Sequence, residues 1–134
     1  MADLTKIEGV GETSATKLKE HGITTTEALL DAGCTPKGRK EIIEKTGLSE
    51  KRVLRWLNMS DLFRIKGIGE EYADLLEASG VDTVPELAQR NAKNLAEKAA
   101  QINEEKKLVR TVPSESRVSE WIEQAKALPR KIEY

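Results

Sequence analysis

A stretch near the start of this chain is written again in its middle. Leu4-Thr5-Lys6-Ile7-Glu8-Gly9-Val10-Gly11-Glu12 recurs 58 residues later as Leu62-Phe63-Arg64-Ile65-Lys66-Gly67-Ile68-Gly69-Glu70. The match continues without a gap through Ala15 and Ala73, Leu18 and Leu76, Gly22 and Gly80, Thr25 and Thr83, and Leu29 and Leu87. A later echo is offset by 65, where Val53, Trp56 and Leu57 align with Val118, Trp121 and Ile122. The second copy therefore holds about seven extra residues near Ile102 to Pro113. Such self-similarity divides the 134 residues into a unit over 1–60, a unit over 61–128 and a C-terminal tail over 129–134.

The punctuation between apolar positions is that of short helices. Thr35-Pro36 supplies an N-cap followed by proline at the first helical position, and Gly47 ends that helix. Ser49 caps a helix whose Val53, Trp56 and Leu57 fall at spacings of three and four. Ser60 is expected to cap a short helix before Ile65, Thr83 and Ser114 to start two more, and Asn91 to cap a longer helix to about Lys107. No stretch alternates apolar and polar residues as a half-buried strand would. The expected fold is all-α, with about ten short helices. The segment from Leu128 to Tyr134, with Pro129 and mixed charge, reads as a tail lying on the surface or disordered.

Each copy carries apolar-x-Gly-apolar-Gly between helices, at Ile7 to Gly11 and Ile65 to Gly69. The chain must reverse there within two or three residues, which asks for positive φ and hence glycine. Val10 and Ile68, between the glycines, are expected to plug back into the core. The helix after each turn begins with free backbone N–H groups at the positive end of its dipole, where an anion is stabilised.

These residues resemble the helix-hairpin-helix motif, and two in tandem resemble the five-helix, SAM-like double unit of many DNA-handling proteins. The whole chain is also similar to a bacterial family known as a domain of unknown function. The residues behind that likeness are Thr35-Pro36-Lys37-Gly38-Arg39-Lys40, Asp61-Leu62-Phe63-Arg64-Ile65-Lys66-Gly67 and Asn103-Glu104-Glu105-Lys106-Lys107. The resemblance implies phosphate contacts through the backbone N–H groups of Gly9, Gly11, Gly67 and Gly69. DNA-binding members usually carry a basic residue two places after the second glycine, where this chain has Thr13 and Glu71. Glu12 and Glu70 follow the glycines directly, and Glu8 lies inside the first hairpin. The second hairpin keeps Arg64 and Lys66 and is the better candidate.

Charge is balanced overall, with 22 basic and 23 acidic side chains, unlike a generic high-affinity nucleic-acid protein. It is not evenly spread. Residues 37–55 hold seven basic side chains (Lys37, Arg39, Lys40, Lys45, Lys51, Arg52 and Arg55) against three acidic ones. Such a patch can bind phosphate despite a neutral total, although a solvated helix face gives the same pattern. Aromatics make up 4%, too few for a platform that stacks single-stranded bases. Trp56 and Trp121 read as paired core anchors, and His21 as the end of a helix. Lone Cys34 sits before a helix N-cap, where a thiol can be activated, but no histidine follows it closely.

One cysteine excludes an internal disulfide, and with one histidine it argues against a metal centre. No phosphate-loop lysine, dinucleotide fingerprint or paired carboxylate stands out, so neither a cofactor nor an enzymatic role is expected. No apolar run approaches the ~20 residues of a membrane span, and the N-terminus lacks the secretory pattern, so a cytoplasmic protein is expected. The leading expectation is sequence-independent binding of DNA or RNA phosphates. It uses Gly67, Ile68, Gly69, Arg64 and Lys66, with Gly9, Gly11, Lys37, Arg39, Lys40, Lys51, Arg52 and Arg55 in support. The alternative is a protein-interaction module or adaptor without nucleic-acid binding, with the segment around Lys106 to Pro113 as a contact.

Overall fold

The computed structural model describes residues 3–7 and 9–133. Glu8, expected inside the first hairpin, lies outside the described residues, as does Tyr134 at the end of the tail. The fold is all-α. Among the described residues there is no strand, and one isolated bridge joins Asp3 to Thr25. The chain forms two compact units, Met1–Asp61 with Lys131–Tyr134, and Leu62–Arg130.

The first unit opens with a 3-10 turn, Leu4–Lys6, whose first N–H groups are satisfied by Asp3. The Thr5 N–H donates to the Asp3 carboxylate at 3.0 Å, and this bond holds that carboxyl below the ordinary aspartate range. Four helices follow: α1 (Glu12–Glu20), α2 (Thr26–Gly33), α3 (Pro36–Thr46) and α4 (Glu50–Leu62). Thr25 and Thr35 cap α2 and α3 by accepting from the Ala28 and Gly38 N–H groups, both at 3.1 Å. Ser49 likewise accepts the Arg52 N–H at the start of α4. Gly47 ends α3 at φ 73°, as its place in the sequence suggests. Leu18, Leu29, Val53, Trp56 and Leu57 form the buried interior.

The second unit holds α5 (Glu70–Ala78), α6 (Val84–Ala88), α7 (Ala92–Lys106) and α8 (Glu115–Ala127). Asn91 and Ser114 cap α7 and α8 by accepting the Asn94 and Arg117 N–H groups. At α6 the Thr83 hydroxyl instead donates to the Glu86 carboxylate at 3.1 Å. Apolar side chains from α5, α7 and the loop before α8 meet where Leu75, Ala99 and Val109 pack with Tyr72, Ile102 and Leu108. The Asn103 amide fastens that loop, donating to the Val109 C=O and accepting its N–H. The extra length expected near Ile102 to Pro113 is shared between α7, with 15 residues where α3 has 11, and the loop beyond it.

Three expectations are revised. Eight α-helices and one 3-10 turn stand where about ten short helices are expected, among the described residues. Ser60 starts no helix, because its hydroxyl donates to the Trp56 C=O at 2.8 Å inside α4. A serine that bonds back four residues is compatible with a continuing helix. The tail does not simply lie on the surface either. Ile132 is buried, the Glu133 N–H donates to the Cys34 C=O at 2.7 Å, and Lys131 pairs with Asp31 at 2.8 Å. One aliphatic side chain between polar neighbours gives no periodic signal, so its burial is invisible until a receiving surface exists.

Removing this anchor should loosen the first unit. Ile132→Ala is expected to cost about 2 kcal/mol in urea denaturation, at the low end for a buried aliphatic deletion because the site is near a chain end. An unchanged midpoint would show that the anchor contributes nothing.

Candidate nucleic-acid interface

Among the described residues the two glycine turns share the same main-chain hydrogen bonds. The Ile7 N–H donates to the Leu4 C=O and the Ile65 N–H to the Leu62 C=O, both at 3.1 Å. The next bonds, Val10 N–H to Ile7 C=O and Ile68 N–H to Ile65 C=O, are both 3.2 Å. Gly9 then has φ 89° and Gly67 φ 97°, where a side chain is strained. Val10 and Ile68 are buried between exposed glycines.

A tryptophan lies under each turn. A methyl group on Gly67 would lie 3.0 Å from Trp121 Nε1, and one on Gly9 would lie 3.5 Å from Trp56 Nε1. Both indoles are almost wholly buried. An arginine one helical turn before each indole lies over its ring. The Arg52 guanidinium is 5.0 Å from the Trp56 ring centre, and that of Arg117 is 5.8 Å from Trp121 and 5.1 Å from Tyr72. A planar cation over an aromatic face is attracted by about 0.5–1 kcal/mol at exposed sites. It is thereby held in place while the guanidinium edge keeps its donors.

The helices that leave these turns are bare at their starts. Gly11 and Gly69 cap α1 and α5, and neither helix has a side-chain cap bond. Space around both capping glycines is open. Exposed Glu12, Glu70 and Glu71 occupy the first turns, where a carboxylate gains about 0.3–1 kcal/mol from the dipole. They compete with any other anion for that position.

The basic residues expected at the site have different tasks. Arg39 is buried, and its guanidinium donates to the Gly33 C=O at 3.0 Å and the Glu133 C=O at 2.6 Å, which makes it a clasp between α2, α3 and the tail. Arg64 donates to the Pro129 C=O at 2.8 Å. Arg55 is half-buried beside the first turn, with Nη1 3.2 Å from a methyl placed on Gly9. Lys37, Lys40, Lys45 and Lys51 are exposed on α3 and α4, and Lys66 is exposed on the second turn. Residues 37–55 belong to the first unit and Arg64 with Lys66 to the second.

Arg117 is the residue that sequence reading passed over. It is exposed, and its Nη2 lies 3.9 Å from a methyl placed on Gly67. The signal was present as Arg52-x-x-x-Trp56 and Arg117-x-x-x-Trp121, aligned by the same offset of 65 as the tryptophans. Cys34 is half-buried, and its thiol donates to the Asp31 C=O at 3.5 Å. Among the described residues no group of three or more His, Cys, Asp or Glu side chains is placed to hold a metal ion. Among them, too, no helix is long and apolar enough to cross a membrane.

Fold and turns together define a small all-helical protein with two exposed glycine turns, each backed by a buried tryptophan. The chain belongs to the family described as Domain of unknown function (DUF4332), whose pattern matches residues 8–128. Comparison with curated proteins and with solved structures gives no match.

Three substitutions test this division of labour. Gly67→Ala is expected to destabilise by about 1–3 kcal/mol, since it forces a side chain to positive φ against an indole. A urea midpoint equal to wild type would refute that constraint. Arg39→Ala should cost about 2–3 kcal/mol by leaving two carbonyls without their donor, while Lys40→Ala stays within about 0.5 kcal/mol. Equal midpoints for these two variants would argue against the clasp.

Proposed function

We propose that this protein is a non-catalytic, sequence-independent nucleic-acid-binding protein of the cytoplasm, built as two tandem helix-hairpin-helix units. DNA is the favoured ligand. The observation that carries this reading is the arginine beside each positive-φ glycine, Arg55 at Gly9 and Arg117 at Gly67, next to a helix start without a side-chain cap. Backbone N–H groups and a guanidinium recognise a phosphate, and neither reads a base. The second hairpin is the principal grip, with exposed Lys66 on the turn. Lys37, Lys40 and Lys51 add counterion-release affinity from the first unit. Arg39 is left out of the contact set, because its donors are committed to main-chain carbonyls.

A protein-docking role is the second reading. It is favoured by the carboxylates at both helix starts, which repel phosphate and suit a basic partner surface.

Anisotropy titration of short fluorescent DNA duplexes at low and near-physiological salt separates the two. The expected result is binding that weakens steeply with salt and equally on every sequence. Lys66→Glu should weaken it on all duplexes, and Glu70→Gln with Glu71→Gln should strengthen it on all duplexes. For each phosphate that a variant no longer neutralises, the log–log salt slope should fall by about 0.9. No binding at low salt would reject nucleic acid and leave the docking reading.

A further inference from the structure

The second turn is held from the side by a single amide side chain. In the second unit the Gln124 carboxamide, on α8, grips both main-chain polar groups of Lys66. Its Oε1 accepts the Lys66 N–H at 2.8 Å, and its Nε2 donates to the Lys66 C=O at 3.1 Å. Gln124 is half-buried, while Lys66 and the paired contact itself lie at an exposed position. The matching place in α4, counted back by the offset of 65 that relates Trp121 to Trp56, is Met59. Met59 is buried and has no donor to offer a carbonyl.

We infer that Gln124 is a positioning residue for the second hairpin, locking the Lys66–Gly67 peptide so that its N–H is presented to a phosphate. This rests on the phosphate-binding reading above. The geometry follows from the peptide group itself. A trans peptide points its C=O and its N–H in opposite directions, and no peptide among the described residues is cis. The C=O of Lys66 and the N–H of Gly67 belong to one such plane. With the C=O fixed on Gln124, the Gly67 N–H must point away from α8. No hydrogen bond among the described residues uses that N–H.

The same grip does two further things. It ties up the Lys66 N–H, so the turn offers a single orientation instead of two competing ones. It also fixes the main chain from which the Lys66 side chain leaves, on the unit where Arg117 stands beside Gly67. A donor held in its bound orientation avoids the cost of ordering at the moment of binding. Gln124 itself touches no ligand in this scheme, and its effect passes through the peptide it holds.

Gln124→Met tests this, since methionine already occupies the matching place in α4. Three quantities are read on the full chain: helicity by circular dichroism, hydrogen exchange at the Lys66 amide without ligand, and affinity for a short fluorescent DNA duplex across salt. The expected variant keeps its helicity, exchanges the Lys66 amide about tenfold faster and binds duplex several-fold more weakly with an unchanged salt slope. The unchanged slope marks a loss of positioning, whereas Lys66→Ala should lower the slope by removing a charge that meets phosphate. Affinity within about twofold of wild type alongside faster exchange would overturn the inference while leaving the phosphate reading intact. An unaltered Lys66 amide would overturn it as well. Absence of duplex binding by the wild type would overturn both.

Discussion

The second glycine turn depends on one close approach, that of Gly67 to the Trp121 indole, whereas a methyl on Gly9 would make an ordinary contact with Trp56. At Gly67 the gap leaves no room for a methyl group without displacement of Trp121, and the backbone is turned to positive φ at the same point. Both demands are met by glycine alone. The indole in turn is buried and carries an arginine over its face, so packing beneath the turn also fixes the cation beside it. Val10 and Ile68 anchor the turns from the other side by entering the core. Loss of the tryptophan would therefore disturb the turn, the buried plug and the guanidinium together.

Electrostatics at the turns is divided. Bare helix starts and neighbouring arginines attract an anion, while Glu12, Glu70 and Glu71 already supply negative charge to the same dipoles. Such carboxylates are exposed and free to swing aside, and the gain they provide is small. The arginines are less free. Arg39 and Arg64 donate to main-chain carbonyls, and Arg52 and Arg117 lie over aromatic faces. Part of what looks like a basic patch in the sequence is thus structural, and Lys37, Lys40, Lys45, Lys51 and Arg52 are what remain exposed along α3 and α4.

Particular elements show how far the sequence could be read. Caps at Thr35, Ser49, Asn91 and Ser114 were legible because a short side-chain oxygen at a helix start acts locally. The burial of both tryptophans followed from helical spacing. Ser60 misled because the same hydroxyl can cap a helix or bond back within one, and only the helix around it decides. Ile132 and Gln124 gave no warning. Each is a single side chain whose partner lies far along the chain, at Cys34 and its neighbours for the tail and at Lys66 for the amide.

By itself the sequence determined the all-helical class, the helix starts at Thr35, Ser49, Asn91 and Ser114 and the two turns, since periodicity, capping and glycine's freedom at positive φ act over a few neighbouring residues. It also showed the duplicated pattern, which needs no structure to be seen. Tertiary structure alone decided which charges are spent and which are exposed. Arg39 and Lys40 are adjacent and look alike on paper, yet one is buried on two carbonyls and the other faces solvent. Tertiary structure also brought Arg117 to Gly67 and Gln124 to Lys66. The physical reason is that a side chain's role is set by the groups it meets across the fold, and those meetings join residues too distant in sequence for any local pattern to record.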